Sequence, residues 1–335
     1  MKRPMLFVLA VLAVWSAPGL SAAEPRFTTT LDTVWAMGDT RYLMEIPASS
    51  YGVSSELVFP LQTLLEGMRF RYVPAGPGRL RWSLEGSFHT NLINPYGLML
   101  DYDWYMWPGD PKEPFSYTES AAAMRWYLAS AEAQFDLRSG SWGKVGLAFG
   151  YRFQFIKQEI TGYSGWYLDT NDDGIADSYN PLKNLTDRSL DYQIIYNTIT
   201  AGLSLALNPA PPVSITAEAG FALPFVSDRD DHLLRYKLST ASGVGYGAYA
   251  GVEARYTWSP AGSRLRPFVA LSGSGLWLVA KTLQTQYWYG DDPGYPGDET
   301  GTYIFGVDHQ ISSRQYRVAF IFGLQFGTAS TSAIR

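Results

Sequence analysis

Apolar and polar residues alternate along much of the chain, in segments of about ten residues. Clear examples lie at residues 80–88, 145–155, 213–223, 244–256 and 318–326. A period of two gives a β-strand one apolar and one polar face. These segments are longer than the roughly 5–6 residues usual for a globular strand, and they suit a tilted membrane strand, which needs about 9–11 residues. The pattern therefore predicts membrane-spanning strands.

The connections between these segments alternate in length. The short connections lie at residues 76–78, 139–141, 209–212 and 260–262. The long connections surround residues 39–53, 91–120, 160–189, 228–241 and 287–308. Such an asymmetry is typical of outer-membrane barrels, with short periplasmic turns and long outer loops. We predict an all-β fold, a ten-stranded antiparallel transmembrane β-barrel with long extracellular loops, over residues 24–326. A soluble β-sandwich or secreted barrel is the alternative.

The two ends of the chain are predicted to be a targeting signal and a tail. Residues 1–23 combine Lys2 and Arg3, an apolar run too short to remain as a membrane helix, and the small residues Ser21 and Ala23. This order predicts a secretory signal peptide, with a buried N-terminal helix as the alternative. Residues 327–335 are expected to form a C-terminal tail. The expected location is the outer membrane of a Gram-negative-type bacterium.

Composition excludes several classes of function. Of 335 residues none is cysteine, which removes thiol nucleophiles, iron–sulfur clusters and Cys-ligated zinc. Charged residues make up 17%, below the roughly 25% of soluble domains. The net charge of −5 argues against a nucleic-acid partner, because phosphate binding needs clustered basic residues.

Two acidic clusters near the predicted strand ends carry the candidate chemistry. Asp101 and Asp103 are spaced at i and i+2, so they point to one side of an extended chain. Two close carboxylates tend to share a proton, and the pair suits a cation or a polarised water. In the second cluster Asp228, Asp230 and His232 alternate, and a carboxylate beside an imidazole suits a general base. Ordinary loop acidity and a solvated histidine remain the alternatives.

Together these clusters resemble the active site of the omptin family of outer-membrane proteases. The run Asp101-Tyr102-Asp103-Trp104 is similar to the family's aspartate pair, and Asp230-Asp231-His232 is similar to its aspartate–histidine dyad. The resemblance implies an endopeptidase in which Asp230 orients His232, His232 activates a water, and Asp101 and Asp103 hold that water. It implies polypeptide substrates, a monomer, no required cofactor, and an active rim that faces the cell exterior.

The resemblance also implies a pocket for basic residues and a lipid partner. Asp228 matches one acid of that pocket, whereas Tyr42 aligns with the other, and Glu45 is a nearby candidate. Outer-membrane lipid is an expected partner, and the family implies lipopolysaccharide. For that site Tyr151 fits one position, but Phe153 and Phe155 stand where polar groups are expected.

A separate pattern predicts a structural calcium ion. Asp169, Asn171 and Asp173 place oxygen ligands at alternate positions, followed by Gly174 and Asp177. This spacing resembles the first part of a calcium-binding loop. The ion is expected to stiffen the loop, and a plain polar turn is the alternative.

The remaining charges predict a plugged lumen and a solvated loop. The residues expected to face the lumen are Glu85, His89, Glu132, Asp136, Arg152, Glu218, Glu253 and Arg255. We expect them to form a salt-bridged network, with a second His89–Glu85 dyad as the alternative. Asp291, Asp292, Asp298 and Glu299 are expected to lie on a solvated surface.

The main alternative function is a non-enzymatic barrel that acts as a narrow channel, an adhesin or a ligand-binding protein. It differs from a protease in needing no convergence of the two acidic clusters, and a channel needs an open lumen. A lipase-type barrel is a weaker alternative, because no serine stands beside His232 in the sequence.

Overall fold

The structure is a computed structural model. It describes residues 26–46, 52–74, 81–93, 96–106, 114–140, 142–168, 180–210, 212–258, 265–293 and 297–326. The signal peptide predicted at 1–23, the tail predicted at 327–335, and the calcium candidates Asp169, Asn171, Asp173 and Asp177 lie outside these residues.

The described chain is almost entirely antiparallel β-strand. The strands are β1 (Arg26–Ile46), β2 (Gly52–Pro60), β3 (Thr63–Val73), β4 (Arg81–Asn91), β5 (Tyr96–Met106), β6 (Ser116–Gly140), β7 (Gly143–Tyr167), β8 (Asn180–Ala210), β9 (Val213–His232), β10 (Lys237–Thr257), β11 (Leu265–Trp288) and β12 (Tyr303–Phe326). A short 3-10 turn, Leu233–Arg235, follows β9. No helix in the described part of the chain is long and apolar enough to cross a membrane.

These strands close into a ring of ten positions. Strand β12 pairs with β1, which joins the last strand to the first. Strand β1 pairs with β3 over its first half and with β2 over its second half, so β2 and β3 together fill one position. Strands β4 and β5 share another position beside β6 in the same way. The ten-stranded barrel predicted from the sequence is confirmed. We call the end that carries the long connections the rim, and the opposite end the short-turn end.

Several ranges expected to be loops are instead paired strand. Strand β8 has 31 residues and begins at Asn180, and β7 has 25 residues and ends at Tyr167. Much of the range 160–189 was therefore wrongly assigned to a loop. The reason is that alternating burial continues past position 160 on β7, where Ile160 and Gly162 are buried and Thr161 is exposed. A continued ladder also satisfies the backbone N–H and C=O groups outside a membrane.

The outer face of the barrel is an apolar band. Large apolar side chains that stand exposed include Phe221 at 82%, Tyr246 at 73% and Phe320 at 62%. A soluble barrel exposes no such continuous surface, because contiguous apolar patches favour association. The band is the outward-facing apolar surface that membrane barrels present to lipid.

The lumen has three layers. The rim carries the acidic clusters, and the short-turn half encloses a charged cavity. Between them lies a middle layer of large buried side chains, including Phe59, Trp126, Ile156, Tyr192 and Tyr196. The ring of Phe59 on β2 stacks on Tyr192 on β8 with centroids 4.0 Å apart. Because β2 and β8 are not neighbours in the ring, these side chains cross the lumen and separate its two ends.

The lumen charges form a network that differs in one pairing from the sequence expectation. Every residue expected there except Asp136 lines the cavity. However, His89 Nε2 lies 3.2 Å from Asp32 Oδ2, so His89 pairs with Asp32. The alternative prediction of a His89–Glu85 dyad is therefore wrong. Gly67 lies between them on β3, and a Cβ there would stand 2.2 Å from the His89 ring. The missing side chain lets His89 reach across to β1.

Candidate active site

A histidine–aspartate dyad lies at the rim end of β9. His232 Nε2 lies 2.9 Å from Asp230 Oδ2, and the Asp230 side chain is 1% exposed. When Nε2–H donates to the carboxylate, Nδ1 keeps the lone pair that can accept a proton. Burial lowers the pKa of His232, and the nearby Asp230 charge opposes this shift. The imidazole is therefore neutral, and able to act as a base, at neutral pH.

The aspartate pair lies on β5, between β2 and β6. Burial raises the pKa of Asp101 well above its usual value, and the charges of Asp103 and Asp230 raise it further. Burial also raises the pKa of Asp103, while hydrogen bonds with Ser55 and Ser116 oppose that shift. The pair therefore retains a proton under conditions in which isolated aspartates have lost theirs.

The two clusters face each other across the mouth of the barrel. Strands β5 and β9 lie on different sides of the ring, yet the Asp101 carboxyl lies within electrostatic range of Asp230. Asp101 Oδ1 and Asp230 Oδ1 are both buried, and neither has a hydrogen-bond partner among the described residues. Buried acceptors of this kind are ordinarily satisfied by water. The arrangement can hold a water molecule between an acid pair and a base.

Lys237 adds a positive charge that the sequence analysis missed. It is the first residue of β10, stands opposite His232 in the ladder and is 5% exposed. Its Nζ lies 5.8 Å from the centroid of Trp288. Burial, followed by the charge of Arg235, lowers the pKa of Lys237 to about 8, whereas Asp230 and Asp101 raise it. The ammonium group therefore acts on both halves of the site.

The last long connection also reaches this site through Asp292. This residue was expected in a solvated loop, but it is fully buried, so that expectation is wrong. Its Oδ2 accepts hydrogen bonds from Arg235 Nε at 2.9 Å and from Trp288 Nε1 at 3.2 Å. A buried carboxylate needs such charged and polar partners. Asp292 thereby fixes the basic turn that follows β9.

Asp228 and Tyr42 lie together below the dyad. Asp228 is 7% exposed, and burial together with Asp230 raises its pKa to about 8. Tyr42 is 1% exposed, and its hydroxyl accepts a hydrogen bond from Gln284. Burial raises the pKa of that hydroxyl well above its usual value, and the charges of Asp230 and Asp228 raise it further. Glu45, the nearby candidate, is exposed at the end of β1.

His309 is a second site residue that the sequence did not single out. Its Nε2 lies 3.9 Å from Asp228 Oδ2, and its Nδ1 lies 2.7 Å from Thr282 Oγ1. The imidazole also packs against the Tyr42 ring with centroids 4.1 Å apart. Burial lowers the pKa of His309 to about 4. The region below the dyad thus combines one acid, a neutral imidazole and a phenol.

The calcium and lipopolysaccharide expectations both stay predictions. Across the described ranges, no three His, Asp or Glu side chains converge to hold a metal ion. The predicted calcium residues are outside those ranges and stay a prediction. Tyr151, matched to a lipopolysaccharide position, donates a hydrogen bond to Asn197 Oδ1 at 2.6 Å.

Comparisons with known proteins show the fold. No family model and no curated protein matches the sequence. Among solved structures, the outer membrane protease OmpT from Escherichia coli is 15% identical, with a TM-score of 0.67, covering 93% of this chain and all of that one. The β domain of the Bordetella autotransporter BrkA is 11% identical, with a TM-score of 0.31, covering 92% of this chain and 100% of that one.

A third similar structure is the Pseudomonas putida toluene transporter TodX. It is 11% identical, with a TM-score of 0.27, and the match covers 93% of this chain and 91% of that one. At these identities the likeness concerns architecture. This chain has the fold of an outer-membrane β-barrel.

Proposed function

We propose that this protein is an omptin-like outer-membrane endopeptidase, which hydrolyses peptide bonds at the cell surface with an activated water. The observation that carries the proposal is the Asp230–His232 pair at 2.9 Å, facing the buried Asp101 carboxyl across the mouth. A dyad of this geometry supplies a general base. Asp101 and Asp103 supply an acid pair that can polarise water and carbonyl groups.

The chemistry follows from the groups in the two clusters. His232 takes a proton from the water, and the water oxygen attacks the carbonyl carbon of the scissile peptide. Asp230 stabilises the imidazolium that forms. The protonated Asp101–Asp103 pair and the Lys237 ammonium stabilise the negative charge that develops on the carbonyl oxygen. His232 then returns the proton to the departing amine as the C–N bond breaks, which regenerates the neutral base.

We propose polypeptides with a basic residue near the cleaved bond as substrates. Asp228 lies buried beneath the dyad, and neither of its carboxylate oxygens has a hydrogen-bond partner among the described residues. A guanidinium or ammonium group would pair with this carboxylate and satisfy its desolvated oxygens. Tyr42 and His309 form the neighbouring wall. This region differs from a two-acid pocket, so the strength of the preference depends on Asp228.

The filled lumen favours an enzyme over an open channel. The middle layer fills the barrel with Tyr192, Phe59 and neighbouring side chains, between the rim and the charged cavity. The interior of a ring of about eight strands is just wide enough for side chains to fill, and its diameter grows roughly linearly with strand number. Adhesion and ligand binding at the rim remain the second candidate, and they require neither a base nor an activated water.

We also propose that the apolar band lies in the outer membrane with the rim outside, where lipid headgroups meet Lys157 and Arg188. Lys157 Nζ contacts Glu159 at 2.8 Å, and Arg188 contacts Asp191 at 2.5 Å. These ion pairs stand toward the rim from the apolar residues Phe149 and Ile199 on the same strands. Arg188 is exposed and Lys157 is half-buried, and cations at this height attract anionic headgroups, including those of lipopolysaccharide. Activity of refolded protein should rise when lipopolysaccharide is added, and no change would remove this partner.

The test of the proposed activity is cleavage of basic peptides by refolded protein. Wild type should cleave, and an Asp230→Asn/His232→Ala variant should lose at least about 10²-fold in kcat/KM, because the base is removed. Asp231→Asn is the matched control. Asp231 sits between the dyad residues, but it pairs with Arg229 and Tyr289 on the other face of the strand. Equal activity in wild type and the dyad variant would remove the protease proposal.

A further inference from the structure

The short-turn half of the lumen contains a charged cavity that the proposed chemistry does not use. Its volume is about 270 Å³. Six basic side chains line it: Arg69, Arg71, Lys144, Arg152, Arg255 and Arg317. Four acidic side chains line it as well: Glu85, Glu132, Glu218 and Glu253. Asp32 and Asp136 add two carboxylates that pair with Arg69 and Lys144. Acidic and basic groups are then equal in number, so the pairing of each basic group decides which one lacks a counterpart.

Most of the basic groups in this cavity have a carboxylate in contact. Arg69 Nη2 lies 2.9 Å from Asp32, and its Nη1 lies 3.0 Å from Glu253. Arg255 Nη2 lies 2.8 Å from Glu253. In the same way Arg71 lies 3.8 Å from Glu85, and Lys144 lies 2.8 Å from Asp136. Each of these side chains therefore already has an acidic partner.

Arg152 on β7 and Arg317 on β12 differ from the others. Among the described residues, neither guanidinium has a hydrogen bond or a carboxylate within ion-pair distance. Glu132 and Glu218 act on Arg152 from a greater distance. The charge that acts on Arg317 is that of Arg152, which is repulsive. Arg317 is therefore the group in this cavity whose charge lacks a counterpart.

The surroundings of the two arginines leave space and offer hydroxyl groups. Ser274 stands opposite Arg317 in the ladder, and Ser130 and Thr198 stand opposite Arg152. Ser130, Ser274 and Gly251 are small residues that line the cavity. Arg152 and Arg317 are half-buried, and an anion paired with them would offset the free-energy cost of their partial desolvation.

We propose that the short-turn half of the lumen binds a small tetrahedral oxyanion of the phosphate or sulfate class, held by Arg317 with Arg152 beside it. The planar guanidinium fork donates two parallel hydrogen bonds to such an anion. The nearby serine hydroxyls can donate to its remaining oxygens. Glu132 and Glu218 compete for Arg152, so Arg317 is the principal ligand. The bound anion would stabilise the barrel from inside.

The test is direct binding of inorganic phosphate, and separately of sulfate, to the full barrel refolded in an uncharged sugar detergent. Titration calorimetry at constant ionic strength, with chloride as the balancing anion, should show saturable binding to a single site. Arg317→Gln should weaken that binding by about tenfold or more. Arg255→Gln is the matched control, because Arg255 already pairs with Glu253, and its affinity should stay close to that of wild type.

Gel mobility before and after heating will show whether Arg317→Gln folds. If it does not, a second variant tests the proposal. Ser274→Leu retains both arginines but fills space beside Arg317, so it should also weaken binding. Peptide cleavage at the rim should be unchanged in both variants, because the middle layer separates the two regions. Absence of saturable binding in wild type, or equal binding by wild type and a folded variant, would overturn the proposal.

Discussion

Lys237 places a buried positive charge between the two halves of the candidate site. It raises the acidity of Asp101, and it is itself held near the point of losing its proton, with a pKa of about 8. In the proposed reaction this charge favours the transition state, because negative charge develops on the carbonyl oxygen. The rim chemistry should therefore depend on the protonation of Lys237 as well as that of His232.

Substitutions of Lys237 test this dependence through the pH–rate profile. In wild type kcat/KM should rise as His232 loses its proton and fall as pH increases through about 8, where Lys237 becomes neutral. The Lys237→Arg variant keeps its positive charge at high pH, so the alkaline limb of the profile should shift to higher pH. Lys237→Met should lower kcat/KM by about tenfold to a hundredfold. An alkaline limb at the same pH in wild type and Lys237→Arg would contradict a role for this charge.

Asp228 makes a second prediction, about substrate binding. Its pKa of about 8 means that the carboxyl holds a proton at neutral pH, and that the charged form increases as pH rises. The KM for a peptide with a basic residue at the cleaved bond should therefore fall between about pH 7 and 9, roughly one unit on either side of that pKa. Asp228→Asn should abolish this fall.

A peptide with a neutral residue at the same position is the control for Asp228. Its KM should be nearly independent of pH in both proteins, because it makes no ion pair with Asp228. If the basic peptide retains its pH-dependent KM in Asp228→Asn, another acid binds the substrate.

The residues that could be predicted from the sequence are those related by spacing within one strand. Asp101 and Asp103, and Asp230 and His232, share a face because each pair is two residues apart. Lys237 and His309 are brought to the site by β10 and β12, through strand register. No motif marks them, since the pairing of distant strands decides which residues meet. The same reason explains why Asp32 was missed as the partner of His89.

At the scale of elements, β1 changes its partner halfway along the barrel. Its first half pairs with β3 and its second half with β2, and the Gly38 carbonyl accepts the Leu61 N–H at 3.0 Å at the change. Gly38 has φ of 131°, and a Cβ there would stand 1.8 Å from the Arg314 carbonyl oxygen. Glycine is required here both by conformation and by the closeness of β12.

Gly38→Ala should therefore destabilise the barrel. The backbone strain alone costs about 1–3 kcal/mol, and the contact with β12 adds to it. The urea midpoint in detergent should fall, as measured by tryptophan fluorescence. Gly86→Ala is the control, because a Cβ there meets only the Ser130 carbonyl oxygen at 3.7 Å. Equal midpoints for wild type and Gly38→Ala would show that the junction relaxes without cost.

The elements were predictable in number and direction but not in length. Alternation and turn residues identify ten crossings, because the membrane imposes a period of two on each one. Beyond the apolar band the outward positions become polar, so sequence alternation loses contrast, as in β8 near Arg188 and Asp191. The strands nevertheless continue, since each neighbour supplies hydrogen bonds to the next.

At the scale of the whole molecule, the middle layer divides the lumen into a rim and a charged cavity. Tyr42 on β1 contacts Tyr192 on β8, which lies on the opposite wall of the barrel. Thr40 on β1 likewise lies within hydrogen-bond distance of Tyr196 on β8, and Phe59 stacks on Tyr192. Close-packed interiors of this kind leave few voids that admit water. The barrel should therefore not conduct ions.

Planar-bilayer recording tests this expectation. Inserted wild-type protein should give no stable conductance steps above the background, whereas an open lumen would give steps that scale with salt concentration. A Phe59→Ala/Tyr192→Ala variant removes the stacked rings and serves as the positive comparison, since it should show conductance. Stable open steps in wild type would favour the channel alternative over the enzyme.

The central claim is that the two rim clusters act on one water molecule. The most direct measurement is a double-mutant cycle of kcat/KM on one basic peptide, with wild type, Asp101→Asn, His232→Ala and the double variant. Groups that act as a unit are strongly non-additive, so the double variant should be about as slow as the slower single variant. Losses that multiply would contradict a shared water, and a wild type without cleavage would contradict the enzyme itself.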